Sequence, residues 1–204
     1  MYRYLAVVLI PTLALACCPP RQWEGIEYIA IGSTDTTGKS HYTEIEQKVS
    51  IDSDRRMVYV QQSMLIDGVG VKQNVLQDYN TATQYILKDG SCEKMGITSM
   101  EPGCIPQNAT VVIKSYMGAG NSKVTTTMYR FEAGQSIAYA VMADDGCIPM
   151  TYEATGRNEN GDGFQTTVEI FSVTAGIRDT NVFRVPANCG VHRPVFVGVE
   201  VGRR

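Results

Sequence analysis

Residues 122–143 read SKVTTTMYRFEAGQSIAYAVMA, and their period of two is the repeat of a β-strand, whose side chains alternate between faces. Over 124–131, Val124, Thr126 and Met128 share one side, and Thr125, Thr127, Tyr129 and Phe131 the other. Over 135–142, Ile137, Tyr139 and Val141 lie opposite Ala138, Ala140 and Met142. The same texture of Val, Ile, Thr, Tyr and Met runs through 23–31, 42–51, 55–66, 83–88, 110–117 and 164–176. Turn signals punctuate these segments: Asp67-Gly68, Asp89-Gly90, Gly118-Ala119-Gly120-Asn121, Asp145-Gly146 and Asn160-Gly161-Asp162-Gly163. Short turns between such segments dictate antiparallel hairpins. The expected class is mainly β: a meander, sandwich or curved barrel of antiparallel sheets, with one short helical turn over 179–183.

Composition narrows the function. The chain has 204 residues, 44% of them hydrophobic and 19% charged, with no Pro/Ser-rich linker, so a single packed domain is expected. Its 18 basic and 21 acidic residues leave a formal charge of −3, which offers no footprint for nucleic acid. Nine Met and eleven Tyr against five Phe make an adaptable, amphipathic interior.

The N-terminus reads MYRYLAVVLIPTLALACCPP. Arg3, an apolar run and Ala14-Leu15-Ala16 are the parts of a secretory signal peptide, expected over 1–16, with the domain over 17–204. No later stretch is apolar for long enough to be a transmembrane helix. In a secreted chain Cys17, Cys18, Cys92, Cys104, Cys147 and Cys189 are expected in disulfides, and spacing alone leaves their pairing open. Gly-Cys-Ile-Pro occurs at 103–106 and at 146–149. Proline cannot donate to a strand ladder, so both copies read as strand edges or turns pinned by a disulfide.

Several sites can be weighed from the residues. Gly32 to Ser40 resembles a phosphate loop but carries five residues between its glycines and runs into an alternating segment, so it reads as a polar hairpin loop. Asn158, Asn160, Asp162 and Glu169 fall at oxygen positions of a calcium loop, with Gly163 at the turn and Asn158 in place of Asp. The segment after it reads as a strand, however, and an Asn/Gly/Asp hairpin turn explains the same residues. Calcium is the one cofactor to be considered. Two histidines, no Gly-x-Ser-x-Gly elbow and no His-Glu-x-x-His argue against an enzyme. Asn108-Ala109-Thr110 is the only glycosylation sequon.

Several segments in register resemble the ependymin family. Cys17-Cys18-Pro19-Pro20 with Trp23-Glu24-Gly25 is similar to that family's mature N-terminus. Cys92-Glu93-Lys94, Ile105-Pro106-Gln107-Asn108-Ala109 and Cys147-Ile148-Pro149 resemble internal motifs, and FSVTAGIRDTNVFRVPANC over 171–189 resembles the C-terminal one. Thr180 departs from the family's usual Pro after Asp179, and no cysteine follows Cys189.

The resemblance implies a LolA-like half-barrel of curved antiparallel sheets around an apolar pocket, often in a homodimer. It also implies a secreted glycoprotein that binds lipid or another apolar small molecule, binds calcium, or acts in cell–matrix adhesion. Carried over by position, it implies bridges of Cys17 or Cys18 with Cys147 and of Cys92 with Cys189, leaving Cys104 for the other N-terminal cysteine. Strand alternation then puts Met57, Tyr59, Tyr85, Met128, Tyr139, Val141, Met150 and Phe171 forward as pocket residues.

Overall fold

The structure, a computed structural model, describes residues 17–98, 103–158, 160–187 and 189–191. The expected signal peptide over 1–16 lies outside the described residues. The strands are β1 (Gln22–Thr34), β2 (Ser40–Asp52), β3 (Met57–Ile66), β4 (Val69–Asp78), β5 (Thr83–Lys88), β6 (Ser91–Gly96), β7 (Thr110–Ala119), β8 (Ser122–Ala133), β9 (Ser136–Ala143), β10 (Ile148–Arg157), β11 (Gly163–Ala175) and β12 (Gly190–Val191). A single 3-10 turn, Thr180–Phe183, follows β11, with Asp179 capping it through a hydrogen bond from Asn181 N.

All twelve strands form one curved, unclosed sheet in the order β12-β6-β5-β4-β3-β2-β1-β11-β10-β9-β8-β7. β1 to β6 make one meander and β7 to β11 a second, and β1 joins them by pairing antiparallel with β11. Only the short β12 runs parallel to its neighbour, β6. The phosphate-loop look-alike is a hairpin turn between β1 and β2, as its composition suggested.

Three strands, β4, β6 and β10, carry weak signals in the sequence. β4 buries the adjacent Val75 and Leu76, which breaks the alternation. β6 is short and polar. β10 has Pro149 in its second position, tolerated because the ladder with β9 shifts register between Pro149 and Thr151.

Register defines two faces. One carries Trp23, Val49, Val58, Val60 and Val75, which form an apolar cluster with Tyr79, and also Ala140 and Met142, which form a second cluster with Ile105. We call it the cluster face. The opposite face is crossed by the chain after β11. That strap starts where Arg178 N and its side chain meet Glu24, passes β3 with Phe183 buried, and ends at the Cys92–Cys189 disulfide. We call this the strap face; its Leu76 is only 1% exposed.

The other two disulfides, Cys17–Cys147 and Cys18–Cys104, tie the N-terminus to the turn before β10 and to the connection between β6 and β7. Ile105 N donates to Cys17 O at 2.8 Å, and the Ile105 side chain caps the Ala140/Met142 cluster together with Cys17 and Cys147.

Leu76→Ala should destabilise the oxidised protein by about 2–5 kcal/mol, as truncation of a fully buried leucine does. Leu65→Ala, on the same face but 42% exposed, should stay within about 1 kcal/mol. Urea denaturation without reductant measures both.

Candidate functional site

The most continuous feature of the cluster face is a row of apolar residues at one level of the sheet. Following the cross-strand partners from β4 to β7, it reads Val71, Met64, Ile45, Ile29, Val168, Tyr152, Ala140, Tyr129 and Val111. Nine neighbouring strands each contribute one member: Val71, Met64, Ile45, Ile29 and Val168 are half-buried, Tyr152, buried Ala140 and Tyr129 belong to the cluster that Ile105 caps, and Val111 is exposed. Beside it on β1 to β4 runs a polar row, Glu27, Gln47, Gln62 and Gln73, in which Gln47 Nε2 donates to the Glu27 carboxylate. That polar row separates the long apolar row from the Trp23 cluster. The arrangement is a partly solvated apolar lane with amide and carboxylate groups along half of one border, a surface fitted to an amphipathic molecule.

The residues expected to line a pocket lie elsewhere. Met57, Tyr59, Tyr85 and Phe171 all fall on the strap face, as do Met128, Tyr139 and Val141. Met150 sits at the bulge of β10, without a ladder partner. None of the eight belongs to either apolar cluster. Alternation separates a strand's two faces but does not say which one turns towards the clusters. The lane runs across strands, and cross-strand register is not written in any one segment.

Two hollows, of about 260 and 520 Å³, open on the described surface. The smaller is lined by the amides and charges around Gln47, Gln62 and Gln73. The larger lies beside the strap, between Lys72, Leu87, Lys88, Cys92 and Pro186.

Of the calcium-loop residues, Asn158 and Asp162 meet in one turn, and Glu169 stands apart from them. Asn158 Oδ1 accepts from the backbone N of Asn160 and of Asp162, and Asp162 Oδ1 and Oδ2 accept from Thr36 N and Asn158 Nδ2. These oxygens are engaged in holding two hairpin turns together. Glu169 stands seven residues up β11 from Asp162, paired with Tyr28 and Thr151, about 23 Å away along an extended strand. Glu169 therefore cannot join Asn158, Asn160 and Asp162. Among the described residues no group of three or more His, Cys, Asp or Glu side chains could hold a metal ion. Asn108 is exposed in the turn before β7.

The electrostatic detail is structural. His41 Nδ1 lies 2.9 Å from Asp67 Oδ2, and hydrogen bonds from His41 and Tyr42 N hold the Asp67 carboxyl below the usual carboxylate range. Asp35 is lowered likewise by Thr37 Oγ1 and by the backbone N of Lys39 and Thr37. Burial works to raise Asp78, but bonds from Thr81 Oγ1, Asn80 N and Asn80 Nδ2 outweigh it and leave this carboxyl low as well.

Fold and surface together define an all-β, disulfide-braced domain with an apolar lane that is open from β4 to β11 and capped by Ile105 over β10 to β8. The sequence profile described as Ependymin matches residues 69–189, from β4 to the last cysteine, and the chain belongs to that family. It is 22% identical over 188 residues to Ependymin-related protein 1 of Haliotis asinina, covering 85% of this chain and 90% of that protein. It is 25% identical over 139 residues to Development-specific protein LVN1.2 of Lytechinus variegatus, covering 60% and 74%. Among solved structures, a beta-barrel-like protein of a domain of unknown function from Brucella abortus aligns with 76% of this chain and 98% of its own, at 9% identity and a TM-score of 0.26.

The low folded-state value of Asp78 stabilises the fold above its unfolded value of about 3.9, and that contribution is lost as pH falls through the folded value. The melting temperature of Asp78→Asn should therefore lie below that of the parent near neutrality. The gap should narrow as pH drops through about 4, and a gap independent of pH would contradict this.

Proposed function

We propose that the protein is a secreted, non-enzymatic carrier that holds a lipid-like or other amphipathic apolar molecule along the lane of the cluster face. The observation that carries the reading is the nine-strand apolar row, continuous in register yet mostly only half-covered by protein. Burying it under an acyl chain would be worth about 0.8 kcal/mol per methylene, a driving force that needs no polar partner. The border of Glu27, Gln47, Gln62 and Gln73 would hydrate or hydrogen-bond the ligand's polar end.

The three disulfides suit an oxidising compartment, which supports secretion. The exposed Asn108 suits a glycan. A calcium-dependent role in matrix adhesion ranks second, because the Asn158 and Asp162 oxygens already accept hydrogen bonds within their turn and from Thr36 N, and Glu169 stands apart from them.

Native mass spectrometry of the secreted protein should reveal a co-purifying lipid. Ile45→Gln with Val168→Gln should weaken uptake of a fluorescent fatty acid about tenfold or more. Ile137→Ser, exposed on the strap face, should leave uptake unchanged. A protein that neither carries nor takes up lipid would overturn the reading.

A further inference from the structure

The edge strand β7 is exposed at all ten of its positions. Its partner β8 is exposed from Ser122 to Thr125, and β9 runs beside β8 only from Thr126 onward. Tyr116 to Ala119 and Ser122 to Thr125 thus form a two-stranded overhang beyond the third strand. Its turn is built for sharpness: Gly118 has φ +96, and a Cβ there would lie 2.0 Å from Ser122 O.

A bare two-strand ribbon is marginal in water and would ordinarily be polar. This one is not. On its strap-face side Met117 is 50% and Val124 46% exposed, and Ile113, 54% exposed, adjoins them on β7 opposite Met128. On its cluster-face side are Lys114, Lys123 and Tyr116, with Lys123 Nζ 4.2 Å from the centre of the Tyr116 ring. Between Glu101 and Glu132 the chain has no acidic residue, while Lys114, Lys123 and Arg130 are basic, within a molecule of formal charge −3. Apolar exposure is therefore concentrated on one projecting element, with Lys123 near its tip and Lys114 at its base, where Asp144 also stands, its N bonded to Thr125 O and its carboxylate to Thr127 Oγ1.

We propose that this hairpin is a finger that docks the protein on anionic phospholipid surfaces. Ile113, Met117 and Val124 enter the boundary between headgroups and acyl chains, and Lys114 and Lys123 reach the lipid phosphates along the opposite face. Charge complementarity selects the occupant: each lysine near an anionic leaflet is favourable, whereas pairing β7 with β7 of a second copy sets Lys114 near another Lys114. The inference is separable from the carrier reading, since β7 and β8 contribute only Val111 and Tyr129 to the lane and neither is altered in the test.

The test uses the full secreted chain and two kinds of vesicle, phosphatidylcholine alone and an equimolar mixture with phosphatidylserine. The protein should co-sediment with the mixed vesicles, bind weakly to the neutral ones, and be released by salt. Two double variants, Met117→Ser with Val124→Ser and Lys114→Glu with Lys123→Glu, should each weaken that binding about tenfold or more while near-UV circular dichroism is unchanged. Ile45→Gln with Val168→Gln should bind the mixed vesicles as the parent does, whatever becomes of fatty-acid uptake. Absence of co-sedimentation, or binding that both hairpin variants retain, would overturn the proposal. So would a parent dimer that the hairpin variants convert to monomer, which would place a second copy on the finger.

Discussion

The pairing of β1 with β11 is the interaction on which the rest of the structure depends. Eleven residue pairs, from Trp23 with Ala175 to Thr34 with Gly163, stitch two meanders into one sheet. Without that seam the apolar row would break between Ile29 and Val168 into segments of four and five strands. The seam also carries the sheet's irregularity. Its register shifts between Glu24 and Ile26, where Ser172 takes φ +53 and a Cβ on Gly25 would stand 3.0 Å from the Trp23 ring. A bulge there adds twist to two long central strands, in keeping with a sheet that curves without closing.

An open sheet leaves two faces and two edges to be managed, and the cysteines are placed where the chain manages them. The strap that covers Leu76 is anchored at its far end by Cys92–Cys189, which closes a separation of 97 residues. In the chain-entropy view a loop of that size contributes about 4–5 kcal/mol by restricting the unfolded chain. Cys17–Cys147 and Cys18–Cys104 hold the N-terminal residues and Ile105 over the Ala140/Met142 cluster. Each bridge thus fixes a segment that is not itself a long strand, where ladder hydrogen bonds cannot do so.

Much of this was legible in the sequence, and the illegible parts have physical reasons. β5 begins and ends where the alternation and the Asp89-Gly90 turn require, and β8 and β9 show their two faces residue by residue. The family was legible too, because motifs at Cys17, Cys92, Cys147 and over 171–189 stand in order. Register was not. The sign of each face depends on which residues the strap and the N-terminal segment cover, and those contacts join residues as distant as Glu24 and Arg178. Strand alternation puts Tyr59, Tyr85 and Tyr139 each on one side of its strand, and register across the sheet makes that side the strap face. Glu169 fits a calcium loop by linear spacing alone, and the alternation that marks its segment as a strand is what sets it apart from Asp162.

The most direct test of the account is the methyl spectrum of the protein labelled at isoleucine and titrated with palmitic acid. Ile29 and Ile45 face the lane, whereas Ile26 and Ile137 project from the other side of the sheet. The account predicts that the first two methyls shift and show contacts to the acyl chain while the second two stay in place. Acyl contacts to Ile26 or Ile137, or a spectrum untouched by the fatty acid, would contradict it.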